Sequence, residues 1–228
     1  MKNMQIVIDG PAGAGKSTIS KIVANTLGFI YIDTGAMYRA VGLKALLLNL
    51  DTKNDVASVE RLMDDIKIKI EHKTDGQHIF LDGKDVTSEI RTPKVSIAAS
   101  NVSAFPAVRK KLASLQRELA QSGNIIMDGR DIGSYVLPNA QIKIFLTASI
   151  EDRAKRRHNE LIEKGENVSF EDVLADMAYR DKNDSGRKLA PLKIPEGALV
   201  IDTTGNTLEQ SIDILTDAIK ERLNCFLK

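Results

Sequence analysis

Short apolar runs recur along the chain at Gln5–Ile8, Phe29–Ile32, Ile125–Met127, Ile142–Leu146 and Ala198–Ile201. Each reads as a strand buried on both faces, bounded by polar residues or glycine. Between them the apolar positions take the three- and four-residue spacing of helices, over Ser17–Leu27, Met37–Leu48, Pro106–Gln121, Ile150–Lys164, Phe170–Lys182 and Leu208–Leu223. Three of the starts carry capping boxes: Ser149 is followed by Asp152, Ser169 by Asp172 and Thr207 by Gln210. Strands alternating with helices predict an α/β architecture, a parallel sheet with helices on both faces.

One segment breaks this rhythm. Ile66, Ile68 and Ile70 alternate with Lys67 and Lys69, and "HIFLDGKDV" follows after Asp75-Gly76. A period of two around an Asp-Gly turn predicts a hairpin with one wet face. The stretch from Glu60 to about Arg91 is therefore expected to be a small antiparallel insertion on the parallel core. The C-terminal "NCFLK" lies outside any motif and is expected to be a frayed end.

Composition narrows the class only modestly. A chain of 228 residues suits one domain, 1–228, and 43% hydrophobic content can fill a sizeable core. Lys plus Arg (32) nearly balances Asp plus Glu (31), so nothing points to nucleic acid. The one cysteine, Cys225, allows no intrachain disulfide and fits a reducing compartment. No signal peptide precedes the first strand and no apolar run is long enough to span a bilayer, so a cytoplasmic protein without a membrane partner is expected.

The chemistry begins where the first strand ends. "VIDGPAGAGKSTIS" contains Gly10, Gly15, Lys16 and Ser17 in the spacing G-x-x-x-x-G-K-[ST], the P-loop. Its glycines let backbone N–H groups wrap an anion, and the next helix points its positive end at the same spot. Lys16 can reach the β- and γ-phosphates of a nucleotide, and the Ser17 hydroxyl can ligate Mg²⁺. Two more strand ends carry candidate groups, where ligands of open α/β sheets lie. "DTGAMYR" offers Thr34 and Arg39 for a phosphate or sugar, although it reads equally as an ordinary helix start. "IIMDGRDIG" ends an apolar run in Asp128, able to hold Mg²⁺ directly or through water, with Arg130 and Asp131 beside it. A salt-bridged loop is the plainer reading of that pair. Arg153, Arg156 and Arg157 share one helical face, and "YRDKNDSGRKLAPLK" adds Arg180, Asp184 and Arg187. Such a run is usually a solvated face, but phosphoryl transfer needs several guanidiniums around a dispersed negative charge.

A GTPase switch is excluded, because no N-K-x-D guanine reader is present and the only D-x-x-G, Asp202–Gly205, comes too late. A large motor or helicase needs more chain. A small kinase with paired phosphate sites remains.

The chain resembles the bacterial-type cytidylate kinases through "DGPAGAGKST", "DTGAMYRA", "AASNVSAFPAVR", "DGRDIG" and "RDKNDSGRKLAPL". That resemblance implies a three-layer P-loop fold of the nucleoside monophosphate kinase type: a five-stranded parallel sheet, the hairpin as an enlarged monophosphate-binding region, and a mobile helical lid around Arg153–Gly165. It further implies ATP as phosphoryl donor, with Mg²⁺, and CMP or dCMP as acceptor. Gly10, Pro11, Ala12, Gly13, Ala14, Gly15, Lys16, Ser17 and Thr18 would hold the ATP phosphates. Thr34, Arg39 and Arg130 would position the CMP phosphate. Ser100, Arg109 and Asp131 would read the cytosine edge, and Arg180, Asp184 and Arg187 would hold sugar and phosphate. Lys16, Arg130, Arg153, Arg157 and Arg187 would be the cations of the catalytic step, and a monomer is expected. Two rivals stay open: a kinase of another monophosphate or of a small metabolite, as in shikimate-type kinases that lack the long hairpin, and a nucleotide-binding regulator without turnover.

Overall fold

The computed structural model describes residues 3–226. Its centre is a parallel sheet of β1 (Gln5–Asp9), β2 (Ile30–Asp33), β6 (Ile125–Gly129), β7 (Ile142–Thr147) and β8 (Leu199–Asp202), in the order β2-β6-β1-β7-β8. The register sets Val7 between Met127 and Lys143, and Ile32 beside Met127. Side chains alternate between the faces of such a strand. Ile6 and Ile8 join Ile144 and Leu146 against α1 (Lys16–Leu27) and α8 (Leu208–Phe226). Val7 turns the other way, to Met127, Ile132 and the Ala113 face of α5 (Pro106–Leu119). All five apolar runs are strands; four reach one residue further than their apolar part and β6 reaches two, to Gly129, because those residues still pair.

The remaining helices are α2 (Thr34–Leu47), α3 (Val56–Asp65), α4 (Pro93–Val102), α6 (Ile150–Glu163) and α7 (Phe170–Ser185). The expected caps form: Ser149 Oγ accepts from the Asp152 amide, Ser169 Oγ from the Asp172 amide, and Thr207 and Gln210 bond reciprocally. Helix α2 starts at Thr34 rather than Met37, because the Asp33 carboxylate caps it by accepting from the Ala36 amide at 3.0 Å. Helix α4 is absent from the periodicity. It begins at Pro93 after the Thr92 cap and is buried on nearly every side, so it has no polar stripe. It lies so close to α2 that a Cβ on Gly42 would come within 2.8 Å of the Ala99 amide nitrogen.

The insertion is a separate antiparallel sheet of β3 (Ile68–Lys73), β4 (Gly76–Leu81) and β5 (Lys84–Asp85). Glu60, expected as its first residue, belongs instead to α3, whose start Asp55 caps. A 3₁₀ turn, Glu89–Arg91, closes the segment onto α2 and α4. The C-terminal expectation also needs correction. Asn224, Cys225 and Phe226 continue α8, and residues 227–228 lie outside the described part. No helix among the described residues is long and apolar enough to cross a membrane.

Candidate active site

The loop leaving β1 is shaped by what it must fit against. Gly10 has φ +152°, and a Cβ there would lie 1.9 Å from the Leu146 carbonyl oxygen of β7, so only glycine lets the chain turn here. Lys16 opens α1, buried, and its Nζ donates to the Pro11 carbonyl at 2.7 Å. Burial, and next the neighbouring Arg130, hold its ammonium well below the usual lysine range. Ser17 Oγ donates to Asp128 Oδ2 at 2.8 Å, and the Tyr31 hydroxyl donates to Oδ1 at 3.1 Å. Thr34 Oγ1 donates to the Asp128 backbone carbonyl at 2.7 Å, tying the ends of β2 and β6 together. Burial, with Asp33 nearby, raises the Asp128 carboxyl to about 6.

A hydroxyl and a carboxylate in contact are hard oxygen ligands, and a buried carboxylate pushed toward protonation gains from a divalent cation. Among the described residues no group of three His, Cys, Asp or Glu forms an all-protein cage. Mg²⁺ carried in with phosphates needs only one or two protein oxygens, so Ser17 and Asp128 fit it.

Two clefts open on this edge. The first encloses about 720 Å³, its mouth included, between α2, α4, α7 and the turn after β6. Thr34, Arg39, Ser100, Arg109, Arg130, Asp131, Arg180, Asp184 and Arg187 all line it, which is every residue assigned by resemblance to CMP. At its inner end Arg109 Nη2 and the Asp131 carboxylate form a buried ion pair, and the guanidinium lies over the Tyr38 ring, 5.4 Å from its centroid. Asp131 thus faces a cation, a contact that the sequence left among its alternatives. Asp184 is gripped by Arg130 Nε at 2.8 Å and by Arg187. Burial and mutual repulsion mark the open side: Arg39 falls to about 9, with Arg180 its nearest cationic cause, and Arg180 to about 10, with Arg130 its own. Both stay charged at neutral pH. A guanidinium cluster richer in cations than in carboxylates is a site for a polyanion.

The second cleft is lined by Gly13–Thr18 of the P-loop, by Arg156 and Arg157 of α6, and by Asn206, Thr207, Leu208 and Ser211 at the start of α8. Gly10, Pro11 and Ala12 do not line it; they form the buried underside of the loop. The two clefts share Ser17, Arg39, Arg91, Arg130 and Arg180. Of the arginine series on α6, Arg157 faces the second cleft, paired with Glu160 at 2.7 Å. Arg153 lines neither cleft. It is buried, donates to the carbonyls of Ala148 and Ala12 at 2.9 Å each, and pairs with Asp181 of α7 at 2.8 Å. Helical spacing groups Arg153 with Arg156 and Arg157, but it cannot tell that Arg153 packs beneath the P-loop.

Sequence reasoning passed over Arg91, which reaches the junction from the end of the insertion and pairs with Asp33 at 2.9 Å. It also passed over Asp9. That fully buried carboxylate accepts from the amides of Ile132 and Gly133 at 2.8 and 2.7 Å, fixing the π-helical turn Ile132–Val136 that follows Arg130 and Asp131. Burial lifts Asp9 to about 7. Its position directly before Gly10 was the available signal.

A P-loop on a parallel sheet, with a second arginine-lined cleft meeting it end to end, defines a P-loop kinase. The comparisons narrow the class. The cytidylate kinase family model matches residues 6–221, and the chain belongs to that family. It is similar to the cytidylate kinase of Caldicellulosiruptor saccharolyticus, with 53% identity over 92% of each chain. It is 51% identical to the cytidylate kinase of Caldanaerobacter subterraneus subsp. tengcongensis, over 96% of this chain and 95% of the relative. A crystal structure of an uncharacterized protein from Eubacterium ventriosum shares the fold at TM-score 0.52, with 12% identity, over 96% of this chain and 99% of its own.

Proposed function

We propose that the chain transfers the γ-phosphoryl group of ATP to CMP and dCMP, forming ADP and the corresponding diphosphate. Membership of the cytidylate kinase family supports this reading, and one observation of the site carries it: the two clefts meet end to end at Ser17, Arg39, Arg91, Arg130 and Arg180. A donor phosphate on the P-loop and an acceptor phosphate between Arg39 and Arg130 would then face each other in line.

The acceptor oxygen of a monophosphate is ionised at neutral pH, so no side-chain base is required. Position and charge neutralisation remain for the protein. Gly13–Thr18 offer backbone donors to the ATP phosphates, and Lys16 exchanges the Pro11 carbonyl for phosphate oxygens, whose negative charge offsets the burial that disfavours its ammonium. Arg39, Arg130 and Arg180 hold the acceptor phosphate, and relief of their mutual repulsion contributes to binding. Ser17 and Asp128 would hold Mg²⁺, which when bound shields the phosphate charge. Asp184, fixed by Arg130 and Arg187, accepts from ribose hydroxyls. Ser100, Arg109 and Asp131 read the base, with Asp131 also keeping Arg109 in place.

Residues 153–165, with α7, act as a lid that excludes water, so that ATP is not simply hydrolysed. Arg157 serves the transferring group, whereas Arg153 anchors the lid to the P-loop. Core, insertion and lid form one kinase unit over 1–228, working as a monomer in the cytoplasm, since one chain supplies both clefts. A coupled ADP-release assay with CMP, dCMP, UMP, AMP and GMP tests the reading. CMP and dCMP are expected to give the highest kcat/KM; equal rates with all five would contradict it.

A further inference from the structure

Asn183 lies on α7 facing α4, outside every role assigned above. Its Nδ2 is 2.7 Å from the Ser100 carbonyl oxygen and 3.0 Å from Ser100 Oγ. A carbonyl oxygen can only accept, so the amide atom facing it must be the nitrogen, which fixes the orientation of the amide. That nitrogen carries two hydrogens, one for each Ser100 oxygen. Ser103 Oγ donates to the same carbonyl, which leaves it fully engaged. Ser100 Oγ therefore receives a hydrogen from Asn183, while its own hydrogen has no acceptor among the described residues. The hydroxyl is nearly buried and lines the acceptor cleft.

A serine hydroxyl alone can donate or accept, and so discriminates poorly between bases. Cytosine and uracil share the acceptor O2 but differ at N3, a bare acceptor in cytosine and an N–H donor in uracil. We propose that Asn183 is a specificity-setting residue that acts through Ser100: by occupying one of the two Ser100 Oγ lone pairs, Asn183 biases the hydroxyl toward donating to base N3 and favours cytosine over uracil. The proposal rests on the CMP reading given above.

The test compares kcat/KM for CMP and UMP, at fixed saturating ATP, in wild type, Asn183→Ala, Asn183→Asp, Ser100→Ala and the Ser100→Ala/Asn183→Ala double variant. The CMP-to-UMP ratio is expected to fall about threefold in Asn183→Ala, where the hydroxyl is free to turn. In Asn183→Asp it falls about tenfold or more, because a carboxylate draws the hydroxyl hydrogen away from the base. In the Ser100→Ala background, Asn183→Ala should leave the ratio unchanged, the signature of two residues acting as a unit. Equal losses for CMP and UMP would overturn the proposal, since a purely structural role for Asn183 lowers both alike. A ratio that rises, or one that changes without Ser100, would overturn it too. Absence of CMP turnover in wild type would be a different failure, that of the function itself, and would remove the basis of the proposal.

Discussion

The carboxyl edge of the sheet and the α6–α7 hairpin both bring charge to the clefts, but they are held in place by different forces. Strand residues Ile6, Val7, Ile8, Ile126, Met127 and Ile144 are fully buried, and the groups at the strand ends inherit that rigidity. The hairpin has a small core of its own, Ala154, Leu161, Val173 and Met177, which meets the P-loop through Ala12. Most of its other ties are polar: Arg153 to Ala12 and Ala148, Arg156 to Thr203, Tyr179 to Asn101, Asn183 to Ser100, and Asp184 to Arg130. A net hydrogen bond contributes about 1 kcal/mol, whereas a fully buried Ile or Leu contributes about 1.5–3 kcal/mol. The sheet edge should therefore move only with global unfolding, while the hairpin can open by itself. Under the proposed function, precision at the phosphates would come from the first region and access from the second.

The sharpest way to break this contrast is at the buried pair in the rigid region. Asp131→Ala leaves Arg109 without its counter-charge, and removing one partner of a buried pair costs about 3–5 kcal/mol. Urea unfolding should show that loss over the whole transition. A loss under 1 kcal/mol would mean that the pair is hydrated and this end of the acceptor cleft is soft.

Lys16→Met comes next. It keeps most of the stem and removes the charge, so turnover should fall at least about a hundredfold with circular dichroism unchanged. Near wild-type activity in a folded variant would separate the P-loop from the chemistry.

Asp9 gives a pH-dependent measure of rigidity. Its folded value of about 7 lies above the ordinary 3.8, so the folded state binds the extra proton between those limits. Stability from this group is present at low pH and is lost as pH rises through about 7. Relative to Asp9→Asn, the wild type should lose about 2 kcal/mol of unfolding free energy between pH 5 and 7.5. Parallel pH curves for the two proteins would show that water reaches Asp9.

The smallest effect on global stability should come from the hairpin. Arg153→Met removes the ties to Ala148, Ala12 and Asp181, but because the hairpin opens by itself most of that loss is local, and only about 1 kcal/mol is expected in the global urea transition. Protease cleavage between 153 and 165 should nonetheless accelerate severalfold, and ATP with a CMP analogue should slow it. Equal shifts in global stability and cleavage would make the two regions one cooperative unit.

The strands were legible because a sheet covered on both faces leaves unbroken apolar runs, and the phosphate chemistry because loops at strand ends carry it in contiguous letters. Every residue assigned by resemblance to CMP lines one cleft. What stayed hidden depends on contacts between distant segments. Helix α4 has no amphipathic stripe, since Gly42 lets α2 press against it. The turn at Ile132 exists because Asp9, far away in sequence, holds two of its amides. Arg91 reaches the junction only once the insertion has folded back, and Arg153 turns under the P-loop rather than over it. Spacing along one helix cannot show which neighbour its face will meet.

The central claim is direct transfer between the two clefts with water excluded, and ³¹P NMR of the protein with ATP, CMP and Mg²⁺ tests it most directly. The account predicts that ADP and CDP signals rise together in equal amounts, with inorganic phosphate staying at background. ATP consumed to inorganic phosphate without CDP would contradict it.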